Sequence, residues 1–334
     1  RLHSEYSVTD GIVRIGDAVK RAAADGMPAL ALTDLGNLFG LVKFYTGARG
    51  KGVKPIAGAD VWIANPLVPE DACRLLLLAR NRTGYRQLCE LLTRAYTVQG
   101  RRDRAEIRRE WFSEIGCDGL IALSGAHLGD VGEALLNGNF DLARDRALAW
   151  ETLFPGAFYL EVQRYGQAQQ EAVVQQTADL AGDTGLPLVA THPVQFMKPD
   201  DFQAHEARVC IAEGYVLGDT RRPRLYTEAQ YFKTQDEMAE LFADLPEALE
   251  NSLEIAKRCN IEMTLGKNFL PDFPIPEGMT IGDYLVEEAK KGLEVRLAEL
   301  YPDPEERLKR RPEYDERLVF ECKTILQMGF PGYF

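Results

Sequence analysis

The side chains best suited to metal or hydrolytic chemistry are few and dispersed. The four histidines are His3, His127, His192 and His205, and the six cysteines, Cys73, Cys89, Cys117, Cys210, Cys259 and Cys322, stand singly. Imidazole and thiolate are the usual ligands of zinc and related ions, but no C-x-x-C pair suggests a zinc knuckle or a disulfide framework. The scattered thiols fit a reducing cytoplasm, and a histidine-rich multinuclear centre needs more imidazoles than these. No G-x-S-x-G nucleophile elbow occurs. Gly36, Gly40, Gly47, Gly50 and Gly52 match neither G-x-G-x-x-G nor the P-loop, so no phosphate cradle is expected. His205, in Asp201-Phe202-Gln203-Ala204-His205-Glu206, is expected on a helix, ordering a loop. His127 follows a strand end without a carboxylate near it in sequence and is expected at the surface.

The elements that would position these groups alternate along the first two-thirds of the chain. Helical spacing of apolar residues marks 15–25, 37–50, 83–97, 129–138, 140–153 and 167–184, with Thr83 as the expected cap of the third. Short apolar runs mark strands at Ala29–Thr33, Lys54–Gly58 with Val61–Ile63, Arg74–Ala79, Leu120–Ser124, Phe158–Val162 and Leu186–Thr191. Such alternation implies parallel βαβ units, and roughly six or seven of them suit a barrel. Barrel chemistry sits on the loops after the strands, which begin here near Asp34, Asp60, Ser124, Gln163 and His192. Beyond about residue 225 the pattern turns helical, with two helices over 234–260 broken at Pro246. A proline-rich connector, Phe269–Pro276, precedes helices at 280–300, 304–310 and 312–328, where Pro304 and Pro312 are read as first-turn prolines.

Composition bounds the function. The 39 basic and 51 acidic residues of this 334-residue chain leave a formal charge of −12, which argues against holding nucleic acid by bulk charge. With 46% apolar and 27% charged residues, the chain falls among soluble globular proteins, and no run of apolar residues reaches membrane-span length. Basic clusters at Arg101-Arg102-Asp103-Arg104, Arg221-Arg222-Pro223-Arg224 and Lys309-Arg310-Arg311 are expected as solvated surface. The chain opens at Arg1 without a methionine and without a charged-then-apolar leader, so its true start is expected upstream.

Several strings carry a resemblance. "HSEYSVTDG" at 3–11, "GMPALALTDLGNLFG" at 26–40, "LVKFY" at 41–45, "GVKPIAGAD" at 52–60, "NRTGY" at 81–85 and "LSG" at 123–125 resemble the amino-terminal PHP (polymerase and histidinol phosphatase) domain of bacterial replicative DNA polymerase III alpha subunits. The likeness continues through "GLPLVATHPVQF" at 185–196, "DFQAHEARVCI" at 201–211, "ELFADLPEALENSLEIAKRCN" at 240–260, "NFLPDFP" at 268–274 and "QMGFPGYF" at 327–334, in order. It implies an α/β fold: a distorted (β/α)7 barrel of PHP type over 1–265, then a connector and a truncated, mostly helical palm segment over 266–334. The catalytic aspartates of the palm, and the Mg they hold in the full-length polymerase, are expected beyond the end of this chain. No cofactor and no polymerase chemistry are therefore expected in this piece.

The resemblance also implies where a PHP metal site would lie. In intact members, histidines and carboxylates on the barrel loops bind metal ions that hydrolyse phosphodiesters, because the ions lower the pKa of bound water and neutralise phosphate. Here the H-x-H opening is Arg1-Leu2-His3, and Asp10 is kept. In T-D-H-G the histidine is Leu35 beside a retained Asp34, and the glutamate after the next strand is shortened to Asp60. Arg74 and Tyr165 stand for two further histidines, and Pro193-Val194-Gln195 for the closing D-x-H. His3, Asp10 and Asp60 are thus relic ligand positions in a degenerate cleft formed by Arg1, Asp34, Leu35, Arg74, Tyr165, Pro193 and Gln195. No metal and no catalytic residue are expected there. Arg1 and Arg74 are instead expected to pair with Asp10 and Asp60, taking over the neutralising role of the ions.

The implied function is that of a scaffold: the amino-terminal piece of a cytoplasmic DNA polymerase III alpha subunit, a DNA-directed DNA polymerase of DNA replication. The implied partners are the proofreading exonuclease subunit and the remainder of the alpha subunit, with DNA only in the full-length context and no membrane. The alternative is a metal-dependent PHP phosphoesterase, either a 3′–5′ exonuclease or a pyrophosphatase.

Overall fold

Apolar runs bounded by turns form the strands of one curled sheet: β1 (Ala29–Leu32), β2 (Lys54–Ile63), β3 (Cys73–Ala79), β4 (Glu106–Ile107), β5 (Leu120–Leu123), β6 (Phe158–Val162) and β7 (Leu188–Ala190). Their order is β1-β2-β3-β5-β6-β7, and the short β4 pairs with β2 off this path. The helices are α1 (Ile15–Ala24), α2 (Leu41–Arg49), α3 (Arg82–Thr97), α4 (Glu110–Ile115), α5 (Asp130–Leu136), α6 (Phe140–Leu153), α7 (Gln170–Thr184), α8 (Phe202–Glu213), α9 (Gln235–Leu241), α10 (Pro246–Arg258), α11 (Ile281–Leu300) and α12 (Pro304–Met328). This computed structural model describes residues 1–65, 68, 72–98 and 104–334. They divide into two compact units, Arg1–Glu262 and Met263–Phe334.

The first unit has the expected mixed α/β architecture, with one correction to its topology. β1 with β2, β5 with β6 and β6 with β7 are parallel, but β3 runs antiparallel to both β2 and β5. A parallel return needs a crossover of a dozen or more residues. The link from Ile63 to Cys73 is too short for that, so the chain simply turns back. As expected, Lys54–Gly58 and Val61–Ile63 belong to one strand, and Ala59 and Asp60 are buried within it.

The core gathers on both faces of the sheet. Leu75 and Leu77 of β3 and Phe158 of β6 are fully buried. Helices α4 and α6 add an aromatic cluster in which Phe112 meets Trp150 and Phe154 edge-on, with centroids 5.8 and 5.4 Å apart. Such packing adds about 0.5–1.5 kcal/mol per pair beyond area burial. The cap of α3 is Asn81, whose side chain accepts from the Gly84 amide, and not Thr83. Both residues are good cap types, and the extended backbone at Asn81 (φ −155°) decides between them.

The amino-terminal segment lies between the two ends of the sheet. Leu2 forms a parallel bridge with Val194, just beyond β7, while its carbonyl accepts from the Thr33 amide beyond β1 at 3.1 Å. The Leu2 amide donates to Thr33 Oγ1 at 2.8 Å. Residues that form no regular strand thereby tie the sheet edges together at one end of the curl.

The second unit is helical. After the irregular stretch 269–276, α11 and α12 pack on each other, with Leu297 and Cys322 as its buried side chains among the apolar residues. The two helices expected over 304–328 are one, and Pro312 lies inside it. An interior proline removes one backbone hydrogen bond. The flanking Arg311 reaches Glu294 of α11 and Asp315 one turn on. No helix among the described residues is long and apolar enough to cross a membrane.

Candidate functional site: a buried ion-pair cleft

The carboxyl ends of β1, β2, β5, β6 and β7, with the amino end of the reversed β3, open onto one cleft. The reversal of β3 is what brings Arg74 there. Arg74 pairs in register with Trp62, two residues past Asp60 on β2, and its guanidinium forks onto Asp60. Nε donates to Oδ1 at 3.0 Å and a terminal nitrogen to Oδ2 at 2.5 Å. The same guanidinium lies over the Trp62 ring, 4.5 Å from its centroid, and Arg104 lies 4.6 Å from that ring. A planar fork on a carboxylate with an aromatic ring beneath it is an arrangement that lysine could not reproduce.

Arg1 reaches two carboxylates. A terminal nitrogen is 3.3 Å from Asp60 Oδ1, and Nε is 3.2 Å from Glu161 Oε1. His3 spans Asp10 and the same Asp60, with Nδ1 2.9 Å from Asp10 Oδ2 and Nε2 3.2 Å from Asp60 Oδ2. Gln195 and Tyr226 lie at the edge of hydrogen-bond reach of Asp10 Oδ2, at 3.4 and 3.5 Å. Glu161 is held from the other side by the Gly125 amide at 3.1 Å, by Gln163 at 3.1 Å and by the Thr191 hydroxyl at 2.5 Å. Gly125 has φ +86°, and a Cβ there would stand 2.2 Å from the Arg74 carbonyl oxygen, so only glycine brings this amide to Glu161.

These groups are almost wholly out of solvent, with Asp60 and Glu161 each 1% exposed and His3 3%. Burial opposes the charge on His3, yet Asp10 and then Asp60 outweigh it and raise its pKa to about 9, so it is a cation at neutral pH. Burial likewise works against the Asp60 carboxylate, but Arg1, Arg74 and His3 hold it far below the usual carboxylate range. Asp10 is lowered against burial, chiefly by His3 and then by Arg74. Arg74 is raised against burial by Asp60. Three cations, Arg1, His3 and Arg74, therefore face three carboxylates, Asp10, Asp60 and Glu161.

Of the expected pairing of Arg1 and Arg74 with Asp10 and Asp60, only the Asp60 part is present, Asp10 being paired by His3 instead; Arg1, His3, Asp10, Asp60, Arg74 and Gln195 converge. The other cleft positions do not join them. Asp34 accepts from the Ser4 amide at 2.6 Å, the Ser4 hydroxyl at 2.9 Å and the Ser7 hydroxyl at 3.0 Å, and so shapes the first turn; burial raises its pKa despite those bonds. Leu35 contributes backbone, bridging to Asp60 and donating to Ser7 Oγ. The Tyr165 hydroxyl pairs with His127 Nε2 at 2.9 Å. His127 is thus half-buried and not a surface residue, and burial, with Arg1 adding to it, lowers its pKa to about 4. Pro193 is half-buried between His192, whose ring bonds the Ala229 carbonyl, and Val194. His205 Nε2 donates to the Asp10 carbonyl at 2.8 Å. Glu161 was not identified from sequence, although a lone acid in the buried strand Phe158-Tyr159-Leu160-Glu161-Val162 was the available signal.

The donor set does not fit a resident metal cluster. Asp10 Oδ1 is a buried carboxylate oxygen without a partner, but the Asp60 oxygens and both His3 nitrogens are engaged by one another and by the two guanidinium groups. An ion would have to displace His3's proton and stand beside two fixed positive charges. Among the described residues no group of three or more His, Cys, Asp or Glu is arranged to hold a metal ion. The basic clusters are also paired: Arg222 is buried against Glu206, Arg221 bonds Asp219, and Arg311 bonds Glu294. Residues 101–103 of the first cluster lie outside the described residues.

Known proteins place this architecture. The PHP domain family matches residues 1–165. Over the whole chain, DNA polymerase III subunit alpha of Neisseria meningitidis serogroup A is 55% identical across 336 aligned residues. That of Pseudomonas aeruginosa is 51% identical across 335, and that of Escherichia coli K12 is 50% identical across 334. The chain is covered completely in each case, and it spans 28–29% of the length of these relatives. The chain belongs to the DNA polymerase III alpha family and carries that family's PHP domain at its amino-terminal end.

Proposed function

We propose that this chain works as the amino-terminal part of a bacterial replicative polymerase subunit in the cytoplasm, with its PHP domain serving as scaffold and not as a phosphoesterase. The observation that carries the reading is the double guanidinium grip on Asp60 by Arg1 and Arg74. Phosphodiester hydrolysis at such a site requires an ion that lowers the pKa of its water. Here fixed side-chain cations already neutralise the carboxylates that would hold it. Polymerase activity, with Mg in the palm and DNA engaged, belongs to the whole subunit. The partners of this piece are then the remainder of the alpha subunit and the proofreading exonuclease subunit docked on the outside of the barrel.

The test has two parts. After incubation with manganese or zinc and desalting, elemental analysis should find no stoichiometric metal, and single-stranded DNA should stay intact. Stoichiometric metal with cleavage abolished by Asp10→Ala would restore the phosphoesterase reading. Titration calorimetry of the exonuclease subunit into the chain should give one-to-one binding, and a flat titration would remove the docking role.

A further inference from the structure

The end of the sheet opposite the cleft carries a second concentration of cations, without the carboxylates that the cleft provides. Lys54 opens β2, Arg80 follows β3, Arg49 ends α2 and Arg258 closes α10. Each is held by neutral acceptors. Lys54 Nζ donates to the Ala256 carbonyl at 2.7 Å and to Asn260 Oδ1 at 2.8 Å. Arg49 donates to the Tyr45 hydroxyl at 2.8 Å and Arg80 to the Asp118 carbonyl at 3.3 Å. Arg258 donates to the Tyr159 hydroxyl and the Gly156 carbonyl, both at 2.7 Å. Arg94, Arg164 and Arg222 each reach a carboxylate, but among the described residues none lies within ion-pair distance of these four. With 51 acidic side chains against 39 basic ones, carboxylates are not scarce in this chain, so their distance here is a local feature.

The fields of three of them meet at one thiol. Cys259 is 1% exposed, and burial pushes it up to about 11, while Lys54, Arg258 and Arg80 all act to lower it. Beside them lies a cavity of about 420 Å³, within the range of small-molecule sites, about 300–1,000 Å³. Lys54 and Arg49 line it, and the Arg49 guanidinium lies 5.5 Å from the centre of the Tyr45 ring. Pro28, Pro55 and Ile261 give it apolar walls. Glu262 is its one lining carboxylate among the described residues, and it stands beyond ion-pair reach of both cations.

We infer that this cavity binds a phosphate monoester with a ring-shaped organic part, the phosphate between Arg49 and Lys54 and the ring against Pro28, Pro55 and Ile261. A phosphate dianion matches two cations, one a planar fork and the other a point charge. Both retain donors for it. The Lys54 ammonium carries three N–H groups, and Ala256 and Asn260 engage two of them. Arg49 carries five and gives one to Tyr45. A single carboxylate would leave one of the two cations unmatched, which favours phosphate. The site shares no residue with the cleft around Asp60.

The experiment is titration calorimetry of the chain with three probes: deoxyadenosine monophosphate, inorganic phosphate and deoxyadenosine. The monophosphate should bind one-to-one. Inorganic phosphate should bind roughly tenfold more weakly, for want of the apolar contact, and deoxyadenosine not detectably. Arg49→Gln should weaken the monophosphate roughly tenfold, the worth of one charge-assisted hydrogen bond. Its melting temperature should not change, because Arg49 is exposed. Lys54→Gln should weaken binding as well, whereas Arg221→Gln, at an exposed cation that Asp219 already pairs, should not. No binding of the monophosphate, or equal binding by the parent and Arg49→Gln, would overturn the inference. So would equal weakening by Arg221→Gln, which marks bulk charge, or binding of a glutamate-rich peptide where the monophosphate does not bind, which marks a protein partner.

Discussion

Charge is handled in opposite ways in the two units of this chain. In the barrel cleft, Arg1, Arg74 and His3 meet Asp10, Asp60 and Glu161 with every side chain out of water. In the helical unit, Arg311 with Glu294, Arg317 with Glu321 and Lys291 with Glu287 lie along solvent-exposed faces of α11 and α12. The first arrangement is specific, because each member leaves an uncompensated buried charge if its partner is lost. The second is nearly free to rearrange, since water and salt replace any partner. Counting ion pairs would rate the helical unit the more strongly held, and the physics says the reverse.

The largest contrast comes from Asp60→Ala. It strips Arg74 of its carboxylate and takes one of two from Arg1 and from His3, and should lower unfolding stability by about 3–5 kcal/mol in urea titration. A loss below about 1 kcal/mol would place the cleft in the same class as surface pairs. Next is the proton on His3. Its folded pKa lies above its unfolded value, so the stability it contributes is complete below about pH 6.5 and is lost as pH rises through about 9. The depressed Asp10 and Asp60 act in the other direction, losing their contribution only in acid. Melting temperatures of the parent should therefore fall between pH 7 and 9.5, while His3→Gln should lie lower at pH 6 and be flatter across that window. A parent profile as flat as the variant's would show that His3 is already neutral. The smallest effect is expected from Arg311→Ala, which should leave the melting temperature unchanged within error at 0.15 M salt, roughly an 8 Å screening length. A clear destabilisation there would erase the contrast between the units.

Much of this was legible in the residues, and the exceptions have physical reasons. Strands appeared as apolar runs because burial on both faces leaves little choice of residue, as in Leu75-Leu76-Leu77-Leu78 of β3. Their direction did not appear, because the reversal of β3 follows from the length of a link and not from the residues it joins. The cap of α3 lies at Asn81, two positions before the expected Thr83, because both residues are acceptable caps and only backbone geometry chooses. Arg1, His3, Asp10, Asp60 and Arg74 stand at family motif positions and are legible through them. Glu161 belongs to no motif, and a solitary acid in an apolar strand signals a buried partner without naming it. Pro312 reads as a helix start because interior prolines are costly, yet α12 runs through it from Pro304 to Met328.

The chain has three tryptophans. Trp111 and Trp150 are buried with Arg108 and Arg109 over their rings, while half-buried Trp62 carries the Arg74 and Arg104 guanidinium groups of the cleft. Cations held over an indole change its electronic surroundings, so the emission of Trp62 is tied to whether Arg74 stays with Asp60. Fluorescence lifetimes resolved for this one ring thus give the cleft a native optical gauge, able to follow its opening in time without any added label.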